Sequence, residues 1–84
     1  MARFEFVEVT PANGIVEDVL AETAEGAREE FARYIDGYRV EEIDKNYMAR
    51  RSDERARVAC FECYDPETAT TWYMAIEEIL DLND

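Results

Sequence analysis

Residues 3–9 (RFEFVEV) alternate apolar and polar side chains and are rich in β-formers, the period-2 pattern of a half-buried strand. Thr10-Pro11-Ala12-Asn13-Gly14 follows. Asn-Gly is a strong hairpin signal because both residues tolerate the positive φ of a type I′ turn. The return strand would run over 15–21. A helical stripe of Ile15, Val16, Val19, Leu20, Thr23, Ala24, Ala27, Phe31, Tyr34 and Ile35 competes with it. Gly26 at the middle of such a helix would cost ~1 kcal/mol relative to Ala, and Thr23 reads as an N-cap. Strand, then a helix over 24–36 stopping at Gly37, is therefore preferred. Its buried face would be Ala27, Phe31, Tyr34 and Ile35, with Glu29 and Arg33 paired at i, i+4 on the wet face.

Residues 38–47 and 55–64 read as two more strands, joined by a polar stretch over 49–54. Asp65-Pro66-Glu67-Thr68 has the cap and first-turn proline of a helix start. Ala69, Trp72, Tyr73, Ile76, Ile79 and Leu80 would share one helical face. The same tetrapeptide also suits a hairpin loop, and 70–73 (TTWY) are strand formers. A hairpin would want Gly where Ala69 stands, so the helix is favoured. The expectation is one α+β domain over 1–84: a small antiparallel sheet with helices on one face, in the order ββαββα. The alternative is βαββα with one long first helix. The helices would cover Phe4, Phe6, Val19, Val40, Val58 and Cys60.

Charge changes the picture. The 84 residues carry 21 Asp and Glu against 9 Lys and Arg, with no His, for a formal net charge of -12. Apolar residues at 48% still allow a folded core, although a chain of this length buries only about 60% of its extended surface. Without imidazole there is no histidine acid–base chemistry and no Cys2His2 zinc site. No run approaches the ~18 apolar residues of a membrane span. Residues 1–5 have no apolar core of the kind a secretory signal needs. Two cysteines make no disulfide framework, so the expected location is cytoplasmic. Acidity over most of the surface disfavours direct phosphate binding. The exception is residues 45–57, where Lys45, Arg50, Arg51, Arg55 and Arg57 outnumber Asp53 and Glu54.

Cys60-Phe61-Glu62-Cys63 has redox or metal spacing, but on a strand its thiols point to opposite faces, which reads as core packing. The carboxylates Glu17/Asp18, Glu41/Glu42 and Glu77/Glu78 are adjacent and diverge in regular structure. No phosphate loop, nucleophile elbow or calcium loop is present. The expectation is no enzyme, no cofactor and no metal. Among the aromatics, two or three tyrosines should lie at the surface, Tyr47 foremost.

The run from Val19 through Phe31 (VLAETAEGAREEF), followed by 38–43 (YRVEEI), resembles small acidic phage and mobile-element proteins of the anti-CRISPR or anti-restriction type. In these a hairpin feeds a helix of this kind and then further strands. The resemblance implies an inhibitor that works by surface binding and carries over no individual residue. The expected function is a non-enzymatic acidic protein that competes for a basic, nucleic-acid-binding protein partner. Its candidate contacts are Asp18, Glu22, Glu25, Glu29, Glu30, Glu77, Glu78 and Asp81. A second zone of opposite sign is expected at Arg50, Arg51, Arg55 and Arg57, either to an acidic surface or to nucleic acid; the bland reading is that these arginines neutralise Asp44, Asp53 and Glu54. An open sheet edge would let two copies pair as a homodimer. One Lys against eight Arg, with a quarter of the chain acidic, also looks like a haloarchaeal protein, in which the acidity would serve solvation only.

Overall fold

The computed structural model describes residues 1–11, 14–49 and 54–80. Five strands and one helix follow in the order β1 (Ala2–Thr10), β2 (Gly14–Ala21), α1 (Ala24–Tyr34), β3 (Arg39–Ile43), β4 (Arg55–Asp65) and β5 (Thr70–Ile79). All pairings are antiparallel, and the sheet order is β2-β1-β5-β4-β3. The fold is mostly β, with the order ββαβββ. The expected ββαββα arrangement is thereby corrected, and so is its alternative with one long first helix.

Both corrections have a physical cause. β5 lies between β1 and β4, so both its edges are paired, and it buries apolar side chains on both faces, Met74 and Ile76 against α1 and Ala75 on the other. A short run of that kind lacks alternation and cannot be told from a helical face by periodicity. The missing glycine was no obstacle to the hairpin, since Ala69 itself adopts φ 56°. Asp65 Oδ1 accepts the Glu67 N–H at 2.9 Å, closing the turn locally. At the other end of the chain, β2 pairs with β1 from Ala2↔Ala21 to Glu8↔Gly14. Ladder bonds to β1 outweigh the helical stripe. Of the Asn13-Gly14 pair expected to form the type I′ turn, Asn13 lies outside the described residues and Gly14 opens β2.

Helix α1 forms where its local signals place it. Thr23 is extended, and its hydroxyl accepts the Gly26 N–H at 3.1 Å. Gly37 has φ 95° just past the helix end, a conformation that favours glycine. Because β2 and β3 are opposite edges, the segment joining them must cross the sheet, and α1 covers one face on the way. Ala27, Phe31 and Ile35 meet Phe4, Phe6, Phe61, Cys63, Met74 and Ile76 there. Phe31 stacks on Phe61 at 4.5 Å between centroids and meets Phe6 edge-on at 5.2 Å. Val19 and Val58 pack against this core as expected, whereas Val40 is 39% exposed. Cys60 lies on the opposite face, in a second cluster with Val7, Val9 and Ala75.

Among the described residues no helix covers that second face. Ile43 and Tyr73 pack against its cluster. The loop after β3 folds back over it, with Tyr47 4.9 Å from the Tyr73 ring.

Candidate functional site

The seven described acids of the expected contact set are separated by the fold. Glu22, Glu25 and Glu29 are exposed at the start and along the outer side of α1. Glu30 is half-buried and pairs with Arg33, which therefore bonds at i, i+3 rather than to Glu29. Asp18 is exposed on β2, in register with Glu5. Glu77 and Glu78 belong to β5 and not to a helix, so successive side chains leave opposite faces of the sheet. Asp81 lies outside the described residues.

The arginines are largely engaged by the chain itself. Arg28 grips Glu42 with two bonds, Nη1 to Oε1 at 2.8 Å and Nη2 to Oε2 at 3.0 Å. This fork holds the Glu42 carboxyl below its ordinary range and raises the guanidinium in turn. Arg55 Nε donates to Glu5 Oε1 at 2.9 Å, and Glu5 is 5% exposed. Arg57 Nε donates to Glu77 Oε2 at 3.0 Å, while its Nη1 reaches the carbonyl oxygens of Lys45 (3.0 Å) and Tyr47 (2.9 Å). Arg39 sits 5.7 Å from the Tyr64 ring.

Alternation does put Arg55 and Arg57 on one face, as the sequence indicated. They face Glu5 and Glu77, which are cross-strand neighbours on β1 and β5. These two carboxylates lie 50 and 20 residues from their arginines along the chain, and the charge of Glu54 also bears on Arg55. Far from projecting as a basic tip, residues 45–47 are pinned to the sheet by the Arg57 guanidinium. Its side chain is only 6% exposed. Arg50, Arg51 and Asp53 lie outside the described residues.

The two cysteines are free, buried and on opposite faces. Burial pushes both thiols up, Cys63 to about 12. Thiols so protonated are poor nucleophiles and poor ligands. Among the described residues no group of three or more Cys, Asp or Glu side chains could hold a metal ion, and no helix is long and apolar enough to cross a membrane.

Concave features lie at the end of the sheet near the C-terminus of α1. A shallow cleft of about 460 Å³ is lined by Arg39, Glu41, Glu62 and Tyr64. Glu62 there accepts the Tyr73 hydroxyl at 2.9 Å, which raises the Tyr73 phenol. On the helix side, a smaller cleft of about 280 Å³ lies beside Trp72 and Tyr38. Their rings meet edge-on at 5.1 Å and 87°. Tyr34, 42% exposed, is close by; partial burial, then the charges of Glu17 and Glu8, raise its phenol. The aromatic corner was hidden in the sequence because Trp72 was assigned to a helix face. The strand-forming run at 70–73 was the signal that could have exposed it. Against known protein families, known proteins and solved structures, the chain finds no match.

Proposed function

We propose that this chain is a non-enzymatic binding protein whose acidic surface engages a basic protein site, one that otherwise holds DNA or RNA. The observation that carries the reading is the internal engagement of Arg28, Arg33, Arg55 and Arg57 by the chain's own carboxylates. Pairing occupies four of the nine Lys and Arg residues, and exposed acids such as Asp18, Glu22, Glu25 and Glu29 contribute to the field presented outward. Carboxylates would stand where phosphates otherwise bind, steering association at long range and weakening as salt rises. Inhibition of the anti-CRISPR or anti-restriction type is one form this competition would take.

The test is displacement of labelled duplex DNA from a sequence-independent, basic DNA-binding protein. Displacement should weaken progressively from 50 to 300 mM salt, and the triple variant Glu22→Gln/Glu25→Gln/Glu29→Gln should displace at least severalfold less well. Displacement that is absent, or indifferent to both salt and these substitutions, would remove the proposal.

A second reading is favoured by the placement of the acids. Asp18, Glu25, Glu41 and Glu78 sit on different elements and faces instead of forming one patch. Such dispersal suits a small structural or regulatory protein whose carboxylates serve hydration in concentrated salt.

A further inference from the structure

We propose that the cleft beside Tyr38 and Trp72 receives a single arginine side chain of the basic partner. This rests on the reading of the chain as a binder of basic surfaces and names the point at which such a partner is anchored.

Two aromatic rings at right angles form two walls of the cleft, and Pro11 contributes to a third side. A ring face attracts a cation held within about 6 Å of its centroid, and a neutral group gains no such attraction. Glu8 and Asp65 bring carboxylates to the same cleft. Among the described residues none of its lining is basic. Tyr38 is anchored by its N–H, which donates to Ile35 O at 3.2 Å beside the carbonyl end of α1. That end of a helix carries partial negative charge. Three independent sources of negative potential therefore coincide: ring faces, carboxylates and a helix terminus.

Size narrows the occupant. About 280 Å³ is below the ~300–1,000 Å³ typical of sites for drug-sized ligands, which suits one side chain better than a cofactor. Arginine fits better than lysine because its planar guanidinium can lie on one ring while its edge bonds a carboxylate.

Trp72 is the only tryptophan in the chain, so its emission reports on the cleft directly. Titration with Nα-acetyl-arginine N-methylamide at low salt should change that emission saturably. The citrulline analogue, isosteric but neutral, should bind about tenfold more weakly or not at all. Tyr38→Ala and Asp65→Asn should each weaken the arginine compound severalfold, while Glu29→Gln on the outer side of α1 should not. Asn at 65 keeps the side-chain oxygen that accepts the Glu67 N–H, and Tyr38 is 44% exposed, so both variants should fold. Equal response to arginine and citrulline, or no saturable response, overturns the proposal. If Tyr38→Ala leaves DNA displacement at wild-type strength, the cleft anchor fails and the acidic surface stands. If the arginine compound binds but DNA is never displaced, the cleft stands and the competition reading falls.

Discussion

At Arg57 three acceptors converge on one guanidinium: the Glu77 carboxylate and the carbonyls of Lys45 and Tyr47. A group this buried stabilises only because its donors are matched. Removing it leaves Glu77, itself 13% exposed at the side chain, without its principal partner. The expected cost of Arg57→Met is about 3 kcal/mol, the range for breaking one side of a buried pair. Denaturant unfolding measures it, and hydrogen exchange at residues 45–47 should accelerate in parallel. The double variant Arg57→Met/Glu77→Leu should recover much of the loss, since two apolar groups need no desolvation offset. A change below about 0.5 kcal/mol in the single variant would mean that the pair is of the weak, surface kind. Alternation along the strand made the shared face of Arg55 and Arg57 readable. Their partners were not, because Glu5 and Glu77 lie 50 and 20 residues away along the chain.

At the scale of elements, α1 and β5 differ in how their state is specified. Thr23, Gly26 and Gly37 mark the helix through local hydrogen bonding and backbone freedom, which act within a few residues. β5 has weaker local marks, the strand-forming run at 70–73 and the Asp65 turn before it. Its turn even carries a steric cost, because Ala69 sits at φ 56°. The left-handed region costs a residue with a β-carbon about 1–2 kcal/mol, against about 0.4–1 kcal/mol of extra chain entropy that glycine loses on folding. Ala69→Gly should therefore raise stability by about 0.5–1 kcal/mol, seen as an increase in Tm without change in the circular dichroism of the folded state. A destabilised variant would show that the positive φ is not maintained in solution. Strand pairing on both sides of β5 outweighs this local strain.

Across the whole molecule the core is divided by the sheet. Phe4, Phe6, Met74 and Ile76 are buried against α1, while Val7, Val9, Cys60 and Ala75 are buried on the face that lacks a helix. The charge is handled in the same two-sided way. Arg55 and Arg57 pair with acids of the sheet, while Asp18, Glu22, Glu25 and Glu29 are exposed. Self-repulsion at a net charge of -12 adds to the conformational entropy that opposes folding, most strongly at low ionic strength. With Glu5, Glu30, Glu42 and Glu77 already paired internally, the chain should stay fully folded at ~0.1 M salt, where the Debye length is about 10 Å. Far-UV circular dichroism and a cooperative melt between 0.1 and 3 M salt check this. Unfolding below roughly molar salt would establish the solvation reading of the acidity instead.

The sequence by itself determined the features whose causes are local. Alternation specifies the first strand, Thr23 and Gly37 bound the helix, and the i, i+3 spacing of Cys60 and Cys63 on a strand separates the thiols. Net acidity and the confinement of five of the nine bases to 45–57 are likewise properties of the chain alone. Only the tertiary structure decided that residues 70–79 are a strand, because burial on both faces erases the periodicity that distinguishes a central strand from a helix. It alone decided that Arg57 holds down the segment it was expected to present, because that depends on β5 bringing Glu77 alongside β4. The cleft at Trp72 has the same origin. Its walls come from β5 and the turn after α1, and no local signal couples segments more than thirty residues apart.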